Sequence, residues 1–195
     1  MSSERVRWES HYSSGGEDQL RPPSALLARH LPTLPRGRAL DVACGGGRHA
    51  LPLARNGFAV DAIDIAFAAL ARLRDAARAD HLAISPLQAD LEHFRLPTAR
   101  YAVIVNVRYL QRTLYAAIRR ALVPGGVVVF ETFLREQAQL GHPKNRAFLL
   151  EPGELRANFT DFEVIEDTEG LVETESGHAY LARLVARRPA RSDLD

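Results

Sequence analysis

The stretch Asp41-Val-Ala-Cys-Gly45-Gly46-Gly47-Arg48-His49-Ala50 decides the fold of this chain. The apolar run from Ala39 to Ala43 predicts a short strand with one acid near its end. The three glycines that follow let the backbone turn sharply and approach a ligand without a Cβ in the way. A helix start comes next, and it presents free N–H groups to that ligand. Strand, glycine loop and helix in this order predict the first part of a βαβ unit.

Strands and helices alternate on either side of this stretch. Further strands are predicted at 58–63, 82–87, 101–107, 127–132, 162–165 and 178–186, and helices at 25–31, 48–56, 66–79, 110–122 and 152–159. Pro86 lies within the third strand and removes a ladder donor, so that strand is expected at a sheet edge. The alternation predicts right-handed βαβ units and a parallel sheet, whose ligands bind beyond the carboxyl ends of the strands.

Length and composition limit the classes of protein to consider. The 195 residues fit one domain, which we divide into an N-terminal arm or lid at 1–21, a core at 22–187 and a tail at 188–195. A formal net charge of +1 gives no overall attraction to nucleic acid or to a membrane surface. Without an apolar leader or a membrane-length apolar run, the expected location is the cytoplasm. Cys44 is the only cysteine, which excludes an intramolecular disulfide and a cysteine-rich metal site.

Two further acids follow the second and third predicted strands. Asp64 ends the second strand, at the position where a carboxylate can accept from ribose hydroxyls, and Asp90 follows the third. Either acid alone could be a helix cap or a solvated loop residue. Asp61 is an alternative to Asp64, but it lies earlier in its strand. Together with Asp41, these acids predict a nucleotide site along one edge of the sheet.

The acid ahead of the glycine loop separates two kinds of nucleotide. The loop fits the G-x-G-x-x-A pattern of a dinucleotide site, where it would hold a pyrophosphate. Asp41 would face that pyrophosphate with like charge, whereas it suits a ligand that carries an ammonium group. S-adenosylmethionine has such a group, together with a ribose and an adenine.

These residues resemble the first motif of the class I S-adenosylmethionine-dependent methyltransferases, in which an acid precedes a G-x-G loop. The resemblance runs from about Arg38 to Phe133, and is strongest to the small bacterial branch with tellurite-resistance and thiopurine-type enzymes. It implies an α/β, Rossmann-like three-layer sandwich. The sheet would have seven mostly parallel strands in the order 3-2-1-4-5-7-6, with an antiparallel last strand.

The resemblance also implies a set of cofactor-binding residues. Asp41 and the 45–47 loop would hold the methionine part, Asp64 the ribose, and Asp90 with Leu91 the adenine. The full set is Asp41, Ala43, Gly45, Gly47, Asp64, Ile65, Asp90, Leu91 and Asn106. Ala43 departs from the glycine of many relatives, although a small residue is expected to fit.

Several motifs and residues are absent, and their absence limits the class of molecule that could accept the methyl group. Asn106-Val-Arg108-Tyr109 lacks the Asn/Asp-Pro-Pro-aromatic motif of enzymes that methylate base or glutamine nitrogens. Lysine-based methylation of a ribose 2′-O would need a second lysine, and Lys144 is the only one. Methylation of a pyrimidine carbon would need a cysteine nucleophile, and the single cysteine, Cys44, lies in the cofactor loop. We therefore expect no nucleic acid and a small-molecule acceptor with a soft or anionic sulfur, tellurium, selenium or oxygen atom.

Arg108, Tyr109 and Glu131 are the candidate catalytic residues on the acceptor side. Arg108, with Arg112, could bind an anion in fork geometry, although both could be plain surface charges. Glu131 could orient the acceptor or act as a base, and an ion pair with an arginine is the alternative. No metal site is expected, because His49, His81 and His93 have no ligand spacing. His49 alone is typical of a helix-cap or packing histidine.

Alternatives remain open at this point. The domain could bind S-adenosylmethionine or S-adenosylhomocysteine without catalysis, or it could be a nicotinamide-dependent oxidoreductase, which Asp41 disfavours. Trp8 and Tyr12 stand in a polar segment, so the arm is a candidate lid over the cofactor. The loop at 136–150 is expected to shape acceptor choice, and the protein is expected to be a monomer or a homodimer.

Overall fold

The computed structural model describes residues 3–14, 21–175 and 177–190. Its helices are α1 Ser3–Ser13, α2 Ala25–His30, α3 Ala50–Arg55, α4 Phe67–Ala79, α5 Leu114–Ala121, α6 Gln137–Leu140 and α7 Glu154–Ala157. Its strands are β1 Arg38–Val42, β2 Ala59–Asp64, β3 Ile84–Gln88, β4 Tyr101–Val107, β5 Leu122–Phe133, β6 Glu163–Thr174 and β7 Gly177–Arg187.

The seven strands form one sheet in the order β3-β2-β1-β4-β5-β7-β6. The pairs from β3 to β5 are parallel, and β7 runs antiparallel to both β5 and β6. Pro86 lies in β3, at the edge of the sheet, where its missing N–H costs no ladder bond. The predicted fold, strand order and antiparallel last strand are confirmed.

Both faces of the sheet are covered, which explains the uninterrupted apolar run in β4. Every residue of β4 is buried. One core cluster includes Ile104, Ile118 and Phe159, on the side of α5 and α7. The other includes Val103, Leu53 and Leu73, on the side of α3 and α4. The sheet is thus the middle layer of a three-layer sandwich, as predicted.

The largest differences from the predicted elements lie in the second half of the chain. The strand predicted at 162–165 extends to Thr174. The sequence did not indicate this length, because β6 is a mostly exposed edge strand whose acidic residues interrupt the apolar pattern. β5 begins at Leu122, five residues before the strand predicted at 127–132, and therefore includes Pro124, Gly125 and Gly126. The helix predicted from 110 begins only at Leu114. The 136–150 loop contains α6 and a 3-10 turn at Arg146–Phe148.

The segment predicted to be an N-terminal arm contains a helix. Residues 3–13 form α1, and Tyr12 is only 5% exposed, packed with Ala66 and Ala69. Tyr12 therefore packs the arm against the beginning of α4. Within the described residues, no helix is both long enough and apolar enough to span a membrane.

Candidate functional site

The strand order reverses between β1 and β4, and the glycine loop follows β1 at that point. Val42 and Asn106 are register partners at the carboxyl ends of the two strands. The loop is built from left-handed backbone, with φ of +52° at Ala43, +52° at Gly45 and +95° at Gly47. Such backbone suits glycine, so the loop accepts an alanine at 43 with some strain. A crevice at a reversal of this kind is where open α/β sheets bind ligands.

Gly47 has a packing role as well. A Cβ at this position would lie 2.3 Å from Leu73 Cδ1, and Leu73 is fully buried in α4. The glycine therefore lets the loop lie directly against the helix that follows β2. The sequence indicated the turn here but not this contact.

Asp41 is a buried acid for which the described part of the chain provides no ion pair. Its side chain is 1% exposed, and Oδ2 has no hydrogen-bond partner among the described residues. Burial, followed by the charge of Asp64, raises the pKa of this carboxyl to about 8, against the opposing effect of a hydrogen bond from the Ala50 backbone. An ammonium brought to Asp41 would supply both the opposite charge and a donor.

Asn106 provides a second unpartnered atom at the same reversal of strand order. Its side chain is 1% exposed, and Oδ1 accepts no hydrogen bond from the described residues. Buried polar atoms without partners are uncommon and destabilising in a folded protein. Asp41 and Asn106 thus provide acceptor atoms for a ligand that brings donors and positive charge, which fits the amino-acid part of S-adenosylmethionine.

Asp64 accepts hydrogen bonds from two backbone groups. Oδ2 accepts from Gly45 N at 2.8 Å, and Oδ1 accepts from Ala66 N at 2.9 Å. A carboxylate has about four acceptor positions, and these two backbone donors hold it in place at the end of β2. The alternative acid, Asp61, pairs with Arg38 and Arg100 instead. The carboxylate of Asp61 is therefore paired with arginines, and the ribose role of Asp64 stays a prediction.

The predicted adenine end contains a small cavity of about 140 Å³. It is lined by Arg5, Ile65, Gln88, Ala89 and Asp90. One wall is therefore α1, and the others are the segments after β2 and β3. Leu91 is buried in the core beside this cavity.

On the acceptor side, Glu131 lies between two arginines. Its Oε1 is 3.4 Å from Arg108 Nε, and its Oε2 is 2.8 Å from Arg183 Nε. Glu131 is almost fully buried, whereas the Arg108 side chain is 30% exposed. The guanidinium of Arg108 also lies 4.3 Å from the centroid of the Phe133 ring. Arg183 was not identified from the sequence.

The other acceptor-side candidates have different surroundings. The hydroxyl of Tyr109 donates to Gln111 Oε1 at 2.6 Å, and burial followed by nearby carboxylates raises its pKa. Arg112 binds both oxygens of Glu154 and two carbonyls of the 136–150 loop. Arg112 therefore holds that loop in place, so the structure favours an ion-pair role over acceptor binding.

Arg48 and His49 connect the glycine loop to the segment before α2. Arg48 Nε donates to Pro22 O at 2.6 Å, and Ser24 N donates to His49 Nε2 at 3.3 Å. Burial, followed by the charges of Arg48 and Arg108, lowers the pKa of His49 to about 3. His49 is thus a neutral packing histidine. The sequence did not indicate that Pro22 and Ser24 contact this loop, because their partners Arg48 and His49 lie about 25 residues away in the chain.

Among the described residues, the cluster that could offer three metal-ligating atoms is Asp90, Glu92 and His93. Glu92 and His93 are exposed, and the set is not the histidine trio considered from the sequence. The structure brings Asp41, Asp64 and Asn106 to one end of the sheet. The individual cofactor and acceptor roles stay predictions.

Comparison with known proteins supports the fold and the family. Residues 39–126 match the family model described as a methyltransferase domain. A curated relative, the ubiquinone biosynthesis O-methyltransferase of Rickettsia akari (strain Hartford), is 28% identical over 76% of this chain and 66% of its own length. The chain therefore spans slightly less than two thirds of that relative.

Solved structures with the same fold include TehB from Haemophilus influenzae. It has a TM-score of 0.74 at 20% identity, with 93% of this chain and 67% of that chain covered. A 1,6-didemethyltoxoflavin-N1-methyltransferase from Burkholderia thailandensis, solved with S-adenosylhomocysteine, has a TM-score of 0.68 at 16% identity over 95% and 87%. The family-model match supports the predicted methyltransferase domain over residues 39–126, and the solved structures confirm the predicted fold.

Proposed function

We propose that this protein transfers a methyl group from S-adenosylmethionine to a small-molecule acceptor, because residues 39–126 match a methyltransferase domain. S-adenosylmethionine supplies a methyl group on a positively charged sulfonium. The donor is thus already activated, and the protein mainly has to hold donor and acceptor in line.

The observation that carries this proposal is the pair of unpartnered buried atoms, Asp41 Oδ2 and Asn106 Oδ1. A buried carboxylate without a cation is destabilising in the empty protein. A pyrophosphate would add a second negative charge beside it, whereas an amino group would neutralise it. The site therefore favours S-adenosylmethionine over a nicotinamide dinucleotide.

The direct test is calorimetric titration with S-adenosylmethionine, S-adenosylhomocysteine and NAD. We expect the first two to bind and NAD not to bind. Asp41→Ala should weaken S-adenosylhomocysteine binding by at least about tenfold, since a hydrogen-bonded charge pair contributes about 1.5–3 kcal/mol. Asp61→Asn is the matched control, because Asp61 is paired with Arg38 and Arg100. Binding of NAD alone would overturn the proposal.

Turnover is measured as S-adenosylhomocysteine released over a panel of small acceptors. We expect methylation of at least one acceptor class. Cofactor binding without turnover over a broad panel would indicate a non-catalytic binding domain instead.

For the acceptor atom, we propose a soft or anionic group. The support is the partly exposed Arg108 beside the ring of Phe133, which offers a guanidinium to a negative group. The names of the two methyltransferases compared above refer to O- and N1-methylation, so they do not single out one atom. Arg108, Tyr109 and Glu131 are the residues we assign to this side of the site.

A further inference from the structure

Resting on the proposed methyl transfer, we infer that Glu131 is a positioning residue rather than the base. Glu131 and Arg183 together hold Arg108, and Arg108 binds an acceptor that arrives already deprotonated. Arg183 is thereby a second positioning residue for the reaction.

The register of the sheet brings the three residues together. Glu131 in β5 and Arg183 in β7 are direct partners across an antiparallel ladder, and Arg108 follows the end of β4. Glu131 binds Arg183 with one oxygen and Arg108 with the other, at 2.8 and 3.4 Å. Both oxygens therefore face guanidinium groups, which do not accept a proton. A base would need an oxygen directed at the acceptor.

The exposed fractions rank the three side chains by depth. Glu131 is 2% exposed, Arg183 is 13% and Arg108 is 30%. A ligand entering from solvent therefore meets Arg108 first, with Glu131 and Arg183 behind it.

The backbone of Arg108 is also held by Glu131. The N–H of Arg108 donates to the carbonyl oxygen of Glu131 at 2.7 Å. Arg108 has a φ of +64°, a left-handed conformation that costs a non-glycine residue about 1–2 kcal/mol. Strain of this kind persists only where the surroundings hold it, and here the surroundings are Glu131 and the ring of Phe133.

The local charge favours an anion. Burial lowers the pKa of Arg108, Glu131 opposes this, and the charges of Arg48 and Arg183 lower it further. The guanidiniums of Arg48 and Arg183 thus both act on Arg108, which pairs with the buried carboxylate of Glu131. Arg48 has its own partner in Glu175, at 3.3 Å. Three arginines against two carboxylates leave excess positive charge, which an anionic acceptor would neutralise.

The chemistry balances without a base. A thiolate uses its own electron pair to form the bond to the methyl carbon while the carbon–sulfonium bond breaks. The sulfonium becomes a neutral thioether, the acceptor becomes a neutral methyl thioether, and no proton moves. Glu131 therefore has no proton to accept in this step.

Binding tests the role of Arg108 without requiring turnover. The probe is 4-nitrothiophenol as its coloured thiolate, and the matched neutral ligand is 4-nitrothioanisole. On protein saturated with S-adenosylhomocysteine, we expect the thiolate to bind at least about tenfold more tightly, as for a charge-assisted contact. Arg108→Met should abolish the preference. Arg119→Met is the control, because Arg119 likewise pairs with a carboxylate, Asp161, and lies over the Phe162 ring.

Kinetics test the role of Glu131 and Arg183. With thiophenols of different acidity, the acid limb of the pH profile should follow the pKa of each thiol, in wild type and in Glu131→Gln. Glu131→Gln and Arg183→Met should raise KM more than they lower kcat, and Arg183→Lys should restore part of the loss. An acid limb that stays fixed across thiols, together with loss of kcat at unchanged KM in Glu131→Gln, would overturn the inference.

The outcomes separate this inference from the proposed function. Failure of wild type to bind S-adenosylhomocysteine sinks the proposed function, and thiolate preference can then still be measured on the empty protein. Normal S-adenosylhomocysteine binding with no thiolate preference overturns the inference alone. Thermal unfolding of each variant reports whether it folds, and Arg108→Met retains the Glu131–Arg183 pair if Glu131→Gln does not fold.

Discussion

The backbone N–H of Gly45 donates to Asp64 Oδ2 at 2.8 Å. The acid that ends β2 therefore fixes the loop that follows β1, before any ligand arrives. Because parallel strands end at the same edge of the sheet, one side chain can both shape the glycine loop and remain in place for a ribose.

Asp64→Asn should damage the loop and the cofactor site together. An amide oxygen replaces only one of the two carboxylate acceptors, and the amide N–H₂ would face a backbone donor. We expect S-adenosylhomocysteine affinity to fall at least about tenfold, and the free energy of unfolding to fall by about 1–3 kcal/mol. Calorimetry and urea unfolding give the two numbers.

The same substitution earlier in β2 is the control. Asp61→Asn removes an acid with three partners, Arg38, Arg100 and the Tyr101 hydroxyl. It should lower stability and leave cofactor affinity unchanged. Equal loss of affinity in both variants would mean that the effect of Asp64→Asn is general destabilisation.

The raised pKa of Asp41 predicts how stability depends on pH. The carboxyl titrates near 3.8 when unfolded and near 8 when folded, so the folded state binds more protons between those values. The contribution of this carboxyl to the free energy of unfolding is fully present below about pH 4 and is lost as the pH rises through 8. Asp41→Asn should remove this loss and stabilise the empty protein at pH 8 by up to several kcal/mol. Urea unfolding at a series of pH values measures the slope.

Cofactor binding should release this proton. An ammonium beside Asp41 favours the carboxylate and lowers its pKa. Between about pH 5 and 7, we expect S-adenosylhomocysteine binding to release up to about one proton in wild type and less in Asp41→Asn. Titrations in buffers of different ionisation enthalpy count the protons. Equal proton release in both proteins would show that another group titrates.

Gly47→Ala should disrupt the packing of the glycine loop on α4. The new Cβ would be 2.3 Å from Leu73 Cδ1, on left-handed backbone with φ of +95°. Strain and overpacking together predict a loss of about 2–4 kcal/mol, measured by urea unfolding.

Gly125→Ala separates the two costs. Gly125 has φ of +77°, but a Cβ there would meet nothing within 4 Å. Gly125→Ala should lower the free energy of unfolding only by the cost of the left-handed backbone, about 1–2 kcal/mol. If Gly125→Ala costs as much as Gly47→Ala, the contact with Leu73 has no energetic weight.

The features predictable from the sequence are those that follow from periodicity and from strand ends. Pro86 indicated an edge strand, and Asp41 and Asp64 indicated which end of the sheet to inspect. A parallel sheet aligns its carboxyl ends, so these positions needed no knowledge of distant contacts.

The parts that escaped prediction depend on pairings distant in the sequence. Arg183 meets Glu131 only because β7 inserts antiparallel beside β5, 52 residues later in the chain. A signal was present, since Glu131 is the only charged residue of β5 and Arg183 is flanked by Ala182 and Leu184, and such buried charges need partners. The partner of each charge depends on the register between the strands, and the alternation of apolar residues does not determine that register.

The predicted lid role of the N-terminal helix α1 depends on one contact. Glu9 accepts hydrogen bonds from Phe67 N at 2.7 Å and Ala68 N at 3.0 Å, at the start of α4. Ala66, at the N-cap of α4, has no side chain to cap this helix, so α1 supplies the cap. The capped turn follows directly after Asp64 and Ile65, where ribose binding is proposed. Docking of α1 and cofactor binding should therefore support each other.

Glu9→Ala should release α1 and weaken S-adenosylhomocysteine binding by about three- to tenfold, in line with the 0.5–2 kcal/mol of a helix cap. Hydrogen exchange should show faster exchange in α1 and at Phe67 and Ala68. Glu4→Ala is the matched control, since Glu4 bonds only Arg7 and Trp8 within α1 among the described hydrogen bonds. Deleting residues 1–20 should reproduce the loss of affinity. If α1 exchanges freely in Glu9→Ala while affinity and turnover stay at wild-type values, α1 is not a lid.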